Sequence, residues 1–208
     1  YLRQPMNAAK IKHDLNALAK LDDDVARGLK EVSYPEPRIR EQGFQTFLST
    51  LVGQQISTDA AAAIMARVRL LLPTMSAEAV LALQQGELRA AGLSGRKVEY
   101  AEGLARAIVD GSFDVSGLVD MDNAAAINSI TQLRGFGEWS AEIYMMFSLQ
   151  REDVFPAGDL ALRVALQKLK GIEHRLSEKE SRALVAPWSP YRSAGSLFLW
   201  RYYRGAPT

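Results

Sequence analysis

A chain of 208 residues without a single cysteine can hold no disulfide framework, no thiolate nucleophile, no cysteine zinc site and no cysteine-ligated iron–sulfur cluster. Histidine is nearly as scarce, with 2 in the chain. His13 and His174 lie too far apart in sequence to suggest a metal centre, and each reads as a helix-surface residue. No uninterrupted apolar run approaches the roughly 20 residues of a membrane span, and the charges at Arg3, Lys10, Lys12 and Asp14 are unlike a secretory signal. Neither membrane insertion nor secretion is expected. An excess of one charge is also missing: Lys and Arg total 25 against 24 Asp and Glu. A polyanion-binding surface would have to come from local clustering.

What is present is apolar periodicity, and a hydrophobic share of 48% is enough for a buried core. Phe44, Phe47, Leu48, Leu51 and Val52 follow the i, i+3, i+4, i+7, i+8 pattern, which predicts an amphipathic helix over 42–52 halted near Gly53. After the polar loop "GQQIST" a second helix carries Ala61, Ile64, Met65, Val68, Leu71 and Leu72 until Pro73 ends it. Ser76 and Ser94 are candidate N-caps of the next two, and Asp122 or Asn123 of the helix bearing Ile127, Ile130 and Leu133. Leu162, Ala165, Leu166 and Leu169 mark a helix past Asp159, and Ser189 with Pro190 reads as the N-cap and first residue of a last helix containing Leu197 and Trp200. Nothing alternates like a strand. The expected fold is all-α, with two packed helical lobes about a cleft: one lobe over about 42–140, the other over 1–41 plus 145–208.

The stretch "LRGFGEWSAEIYMMFSLQREDVFPAGD" stands apart. Gly135 and Gly137 can adopt positive φ at little cost, letting two helices meet in a tight hairpin. Beside them the next helix offers free N–H groups at Glu138 and Trp139, a corner suited to one phosphate of a nucleic-acid backbone. By spacing alone, a plain helix–turn–helix corner with glycine as C-cap is the competing reading. Asp159, by its own neighbourhood, reads as an ordinary N-cap for the helix that starts at Leu160.

Leu133, Gly135, Gly137, Trp139, Ser140, Ala141, Pro156 and Asp159, together with "LVGQQIS" (Leu51 to Ser57) and "GLSGRK" (Gly92 to Lys97), resemble the helix-hairpin-helix DNA glycosylases. The 3-methyladenine DNA glycosylase II type is the most similar pattern. The resemblance runs from about Phe44 to Tyr203. It implies a monofunctional DNA glycosylase that flips an alkylated purine, of the 3-methyladenine or 7-methylguanine kind, out of double-stranded DNA. Water then attacks the sugar and an abasic site is left. It also implies a monomer acting in the cytoplasm, on the nucleoid, or in a nucleus. The extra N-terminal β domain of some relatives is not expected, because residues 1–41 are short and helical in pattern. A noncatalytic DNA-binding module built on the same hairpin is the alternative.

By that resemblance Asp159 stabilises the oxocarbenium-like sugar and orients or deprotonates the water. A helix N-terminus tends to keep such a carboxylate ionised. Trp139 and Trp200, with Tyr144 and Trp188 as weaker candidates, are expected to stack on a cationic base, a contact of roughly 0.5–2 kcal/mol. Bifunctional relatives carry a Schiff-base lysine where Trp139 stands. Gln54 and Gln55 are candidates to fill the gap left by the flipped base, where some relatives use an apolar wedge. Gly135, Gly137, Ser140 and Arg163, with Arg96 and Lys97, are candidate DNA contacts. No cofactor is required. The resemblance allows a Na+ or K+ at the hairpin, held by the main-chain carbonyls of Thr131, Leu133 and Gly135.

Overall fold

The computed structural model describes residues 5–205. Among them there are twelve α-helices, two short 3-10 turns and no strand, and no helix is long and apolar enough to cross a membrane. The chain divides into two compact units, Arg40–Tyr144 and the residues up to Ile39 taken with those from Met145 onward.

In the unit Arg40–Tyr144, α3 (Phe44–Gly53) starts the core with Phe44, Phe47, Leu48, Leu51 and Val52 buried, the face that the sequence period marks. α4 (Thr58–Leu71), α5 (Ala77–Leu81), α6 (Glu87–Ala90) and α7 (Gly95–Val109) follow. Side-chain oxygens of Ser57, Ser76 and Ser94 accept from the third backbone N–H of α4, α5 and α7, each satisfying a donor that the helix itself leaves orphaned. α8 (Asn123–Thr131) is capped by Asp122 rather than Asn123. Phe47 sits at the centre, edge-on to Phe113 and Phe136 at 5.3 and 5.6 Å between ring centroids and stacked on Tyr144 at 4.1 Å. α9 (Glu138–Phe147) leaves the hairpin and is buried at every position from Ser140, the carboxylate of Glu142 included.

The other unit holds α1 (Ala8–Leu18), α2 (Asp23–Val32), α10 (Leu160–Leu169), α11 (Glu178–Leu184) and α12 (Arg192–Gly205). Its core contains Ile11, Leu15, Leu18, Leu162, Leu166, Trp188 and Phe198. α2 lies so close to its neighbours that a β carbon on Gly28 would stand 2.7 Å from Phe198 and 2.9 Å from Leu169. The last helix starts later than its N-cap pattern predicts. The Ser189 hydroxyl donates to Asp153 at 2.7 Å instead of capping, and α12 begins at Arg192.

Candidate nucleic-acid interface and catalytic carboxylate

Three separated motifs meet in the unit Arg40–Tyr144. A cavity of about 430 Å³ is lined by Gln54 and Gln55 from the loop after α3, Ser94, Arg96, Lys97 and Tyr100 from the start of α7, and Gly135 from the hairpin. The two hairpin glycines do different things. Gly135 has φ 92° and packs against the ring of Tyr100, so a β carbon there would overlap that ring. Gly137 is not in the left-handed region, contrary to the expectation from sequence, and a β carbon on it would meet nothing within 4 Å. It leaves an open backbone surface at the start of α9, where free N–H groups accumulate partial positive charge.

Gln54 and Gln55 also part company. The Gln54 amide donates to the Gly135 carbonyl at 2.9 Å and lies 3.5 Å from the Ser140 hydroxyl, tying loop to hairpin. Gln55 is exposed, with φ 59°. Ser140 is buried, with its hydroxyl facing the Gln54 amide. Lys97 donates to the carbonyls of Val52 and Gln54 at 2.7 and 2.8 Å; burial holds its ammonium below the usual lysine range. Arg96 remains exposed. Tyr144 belongs to the aromatic core, with its hydroxyl accepting from the Gly43 N–H at 3.1 Å, and desolvation pushes the phenol up. Trp139, by contrast, is 37% exposed on the first turn of α9. Of the carbonyls expected to hold a cation, Gly135 accepts from Gln54 and Leu133 from the Phe136 N–H at 3.1 Å.

In the other unit the stretch before α10 is fixed from both ends. The Asp153 carboxylate receives Arg192 through Nε and Nη2 at 2.6 and 2.7 Å; burial raises its pKa, and the hydrogen bonds from Arg192 and Ser189 outweigh that and leave it lowered. Ser193 accepts from the Val154 N–H at 3.0 Å and donates to the Arg151 carbonyl at 2.6 Å, while Arg182 donates to the Phe155 carbonyl at 3.1 Å. Val154 through Ala157 are buried. This rigid lead delivers Asp159, whose N–H donates to the Pro156 carbonyl at 2.9 Å and whose Oδ1 accepts from the Leu162 N–H at 3.1 Å. One carboxylate oxygen thus caps α10, and the residue is half-buried.

Trp200 lies on α12 beside Phe147, 5.6 Å between centroids, with the Arg38 guanidinium 6.0 Å from its ring. It lines a cavity of about 440 Å³ with Glu31, Pro35, Glu36, Arg38 and Arg201. Arg163 is half-buried and donates to the Leu176 carbonyl at 3.3 Å, a bond that braces this unit. Trp188 is also core, 1% exposed, with its indole N–H donating to Asp22 at 2.7 Å. The histidines pair locally, His13 with Asp14 and His174 with Glu180. Sequence reasoning missed Tyr100, which packs on Gly135, and Arg134, 5.9 Å from the Tyr100 ring. Arg134 stands beside Gly135 in the sequence, whereas Tyr100 meets that glycine only through the fold and carried no local signal.

Hairpin, cap and paired motifs define a class. Residues 48–190 match the HhH-GPD superfamily of base excision DNA repair proteins, and the chain belongs to that superfamily. Within it, the chain is 28% identical over 197 residues to DNA-3-methyladenine glycosylase 1 of Schizosaccharomyces pombe, covering 88% of this chain and 84% of that protein. It is 26% identical over 124 residues to a Bacillus subtilis DNA-3-methyladenine glycosylase, covering 60% of this chain and 41% of that longer relative. Among solved structures, the DNA-3-methyladenine glycosidase of Bacillus halodurans superposes with TM-score 0.83 at 28% identity, over 91% of this chain and 88% of the other. The S. pombe enzyme Mag1, crystallised with abasic DNA, gives 0.83 at 25% identity, over 93% and 98%.

Proposed function

We propose that the protein is a monofunctional DNA glycosylase of the 3-methyladenine II type, a monomer that excises alkylated purines from double-stranded DNA and leaves an abasic site. The observation that carries this reading is Asp159, half-buried at the N-terminus of α10 and held by a braced, buried lead. N-glycosidic cleavage builds positive charge on the deoxyribose, and a fixed carboxylate is the simplest group to stabilise it. A purine alkylated at N3 or N7 already carries a positive charge and departs neutral, so no general acid is demanded. Asp159 also accepts the proton of, or orients, the water that attacks the sugar.

The remaining residues take compatible parts. Trp200 already has a guanidinium at cation–π distance, which supports it as a surface for a cationic base. Trp139 is the exposed aromatic at the hairpin, and an indole has no amine to form a Schiff base. Gln55 is the better candidate to fill the vacated stack, since the Gln54 amide is engaged by Gly135. Gly137 and the first N–H groups of α9 contact a phosphate. A Na+ or K+ on the carbonyls of Thr131, Leu133 and Gly135 is a separate proposal: each carbonyl has a second lone pair, and no step above passes through it. The expected setting is the cytoplasm with the nucleoid, or a nucleus.

The test is release of free bases from methylated duplex DNA, identified by chromatography. Release of 3-methyladenine and 7-methylguanine supports the reading; DNA binding with no release would leave the noncatalytic hairpin module in its place.

A further inference from the structure

We infer that Lys97 is a positioning residue for base flipping, its ammonium group holding the loop that presents Gln55. The inference rests on the glycosylase reading above. Lys97 Nζ donates to the carbonyls of Val52 and Gln54 at 2.7 and 2.8 Å. Both belong to the last turn and cap of α3, where a helix leaves carbonyls without partners and favours a cation. Two of its three donors are therefore spent on backbone, in a half-buried position where burial lowers its pKa. That is a different use from the exposed phosphate contact a lysine in "GLSGRK" suggests.

The Gln54 carbonyl is part of the peptide unit that joins Gln54 to Gln55. Fixing its oxygen fixes the plane from which the next dihedral turns, and that dihedral is unusual: Gln55 has φ 59°, a region that non-glycine residues occupy only where the surroundings over-determine it. Two anchors supply this. Lys97 holds the Gln54 carbonyl, and the Gln54 side chain reaches the hairpin at the Gly135 carbonyl, 2.9 Å away. The start of α7, the loop and the hairpin are thus joined through one residue adjacent to the exposed Gln55. A side chain that must enter a duplex as a base leaves is most effective when its backbone is already set, because no ordering is then needed at insertion.

Lys97→Met keeps the apolar stem and removes both donated bonds, while Lys97→Arg restores donors. Hydrogen exchange of the free protein should show faster exchange at 54–57 in Lys97→Met, with the rest of α3 and α7 unchanged and Lys97→Arg close to wild type. Single-turnover release of an alkylated base is then compared in duplex and in single-stranded DNA, where no stack has to be refilled. The duplex-to-single-strand ratio should fall about tenfold in Lys97→Met, as expected from two carbonyls left unpaired. Gln55→Ala should lower the same ratio, and the double variant should be no worse than the poorer single one. An equal fall on both substrates, or unchanged exchange at 54–57, would overturn the proposal. If wild-type protein releases no base at all, the glycosylase reading falls and the flipping role falls with it, whatever the exchange shows.

Discussion

At the scale of single residues, Asp159 offers a substitution that separates two roles. Asparagine caps a helix about as well as aspartate, and the observed cap uses one oxygen, Oδ1. Asp159→Asn should therefore leave the melting temperature close to wild type and retain binding to abasic-site DNA, while base release falls about 100- to 1,000-fold, the usual loss when a preorganised charge stabiliser is removed. Near-normal release would refute the catalytic assignment. The hairpin glycines give a second contrast. Gly135→Ala must place a β carbon against Tyr100 with φ at 92°, a backbone strain of about 1–3 kcal/mol before the ring moves, and should lower stability in urea. Gly137→Ala meets nothing, so it should melt like wild type yet bind DNA more weakly as the open backbone surface is covered. Both glycines stand alike in the sequence; only their surroundings distinguish strain from access. Lys97, Arg163, Ser140 and Tyr144 show the same limit, because residue type announces what a side chain can bond and not which neighbour it meets.

Elements were the most legible part. Buried faces of α3, α4 and α10 lie where the 3.6-residue period puts them, and Ser76, Ser94 and Asp122 cap the helices that they precede, since capping is a contact between neighbours in the chain. The pattern misplaced the start of α12 because Ser189 answers to Asp153, 36 residues away, and not to its own helix. α2 depends on a distant partner in the same way. Its N-cap, Asp22, receives the ammonium of Lys170 at 2.6 Å and the indole N–H of Trp188 at 2.7 Å. Asp22→Ala should cost about 2–4 kcal/mol, adding a lost cap to an orphaned buried N–H, measured by urea unfolding at neutral pH. Burial raises the Asp22 carboxyl, but the bonds from Lys170 and Trp188 outweigh it and leave it lowered. Its contribution is therefore complete above roughly pH 4, the ordinary carboxylate value, and is lost as pH falls through the lower folded value. Between those values Asp22→Asn should show a flatter dependence of stability on pH than wild type.

For the whole molecule the reaction class is the testable quantity. A monofunctional enzyme forms no imine, so borohydride added during turnover should trap no covalent protein–DNA adduct, while alkali cleaves the same product at its abasic sites; an adduct would point to an amine that the hairpin does not provide. The helical period was enough to indicate an all-α chain, and the ordered motifs carried the resemblance to its superfamily, because both depend on residue type and on spacing along the chain. Folding determined which distant residues meet: Lys97 with Gln54, Gln54 with Gly135, Trp188 with Asp22. These are contacts across 43, 81 and 166 positions, and no local pattern encodes them, since hydrogen bonds and packing act over ångströms in space while the sequence orders residues only along the chain.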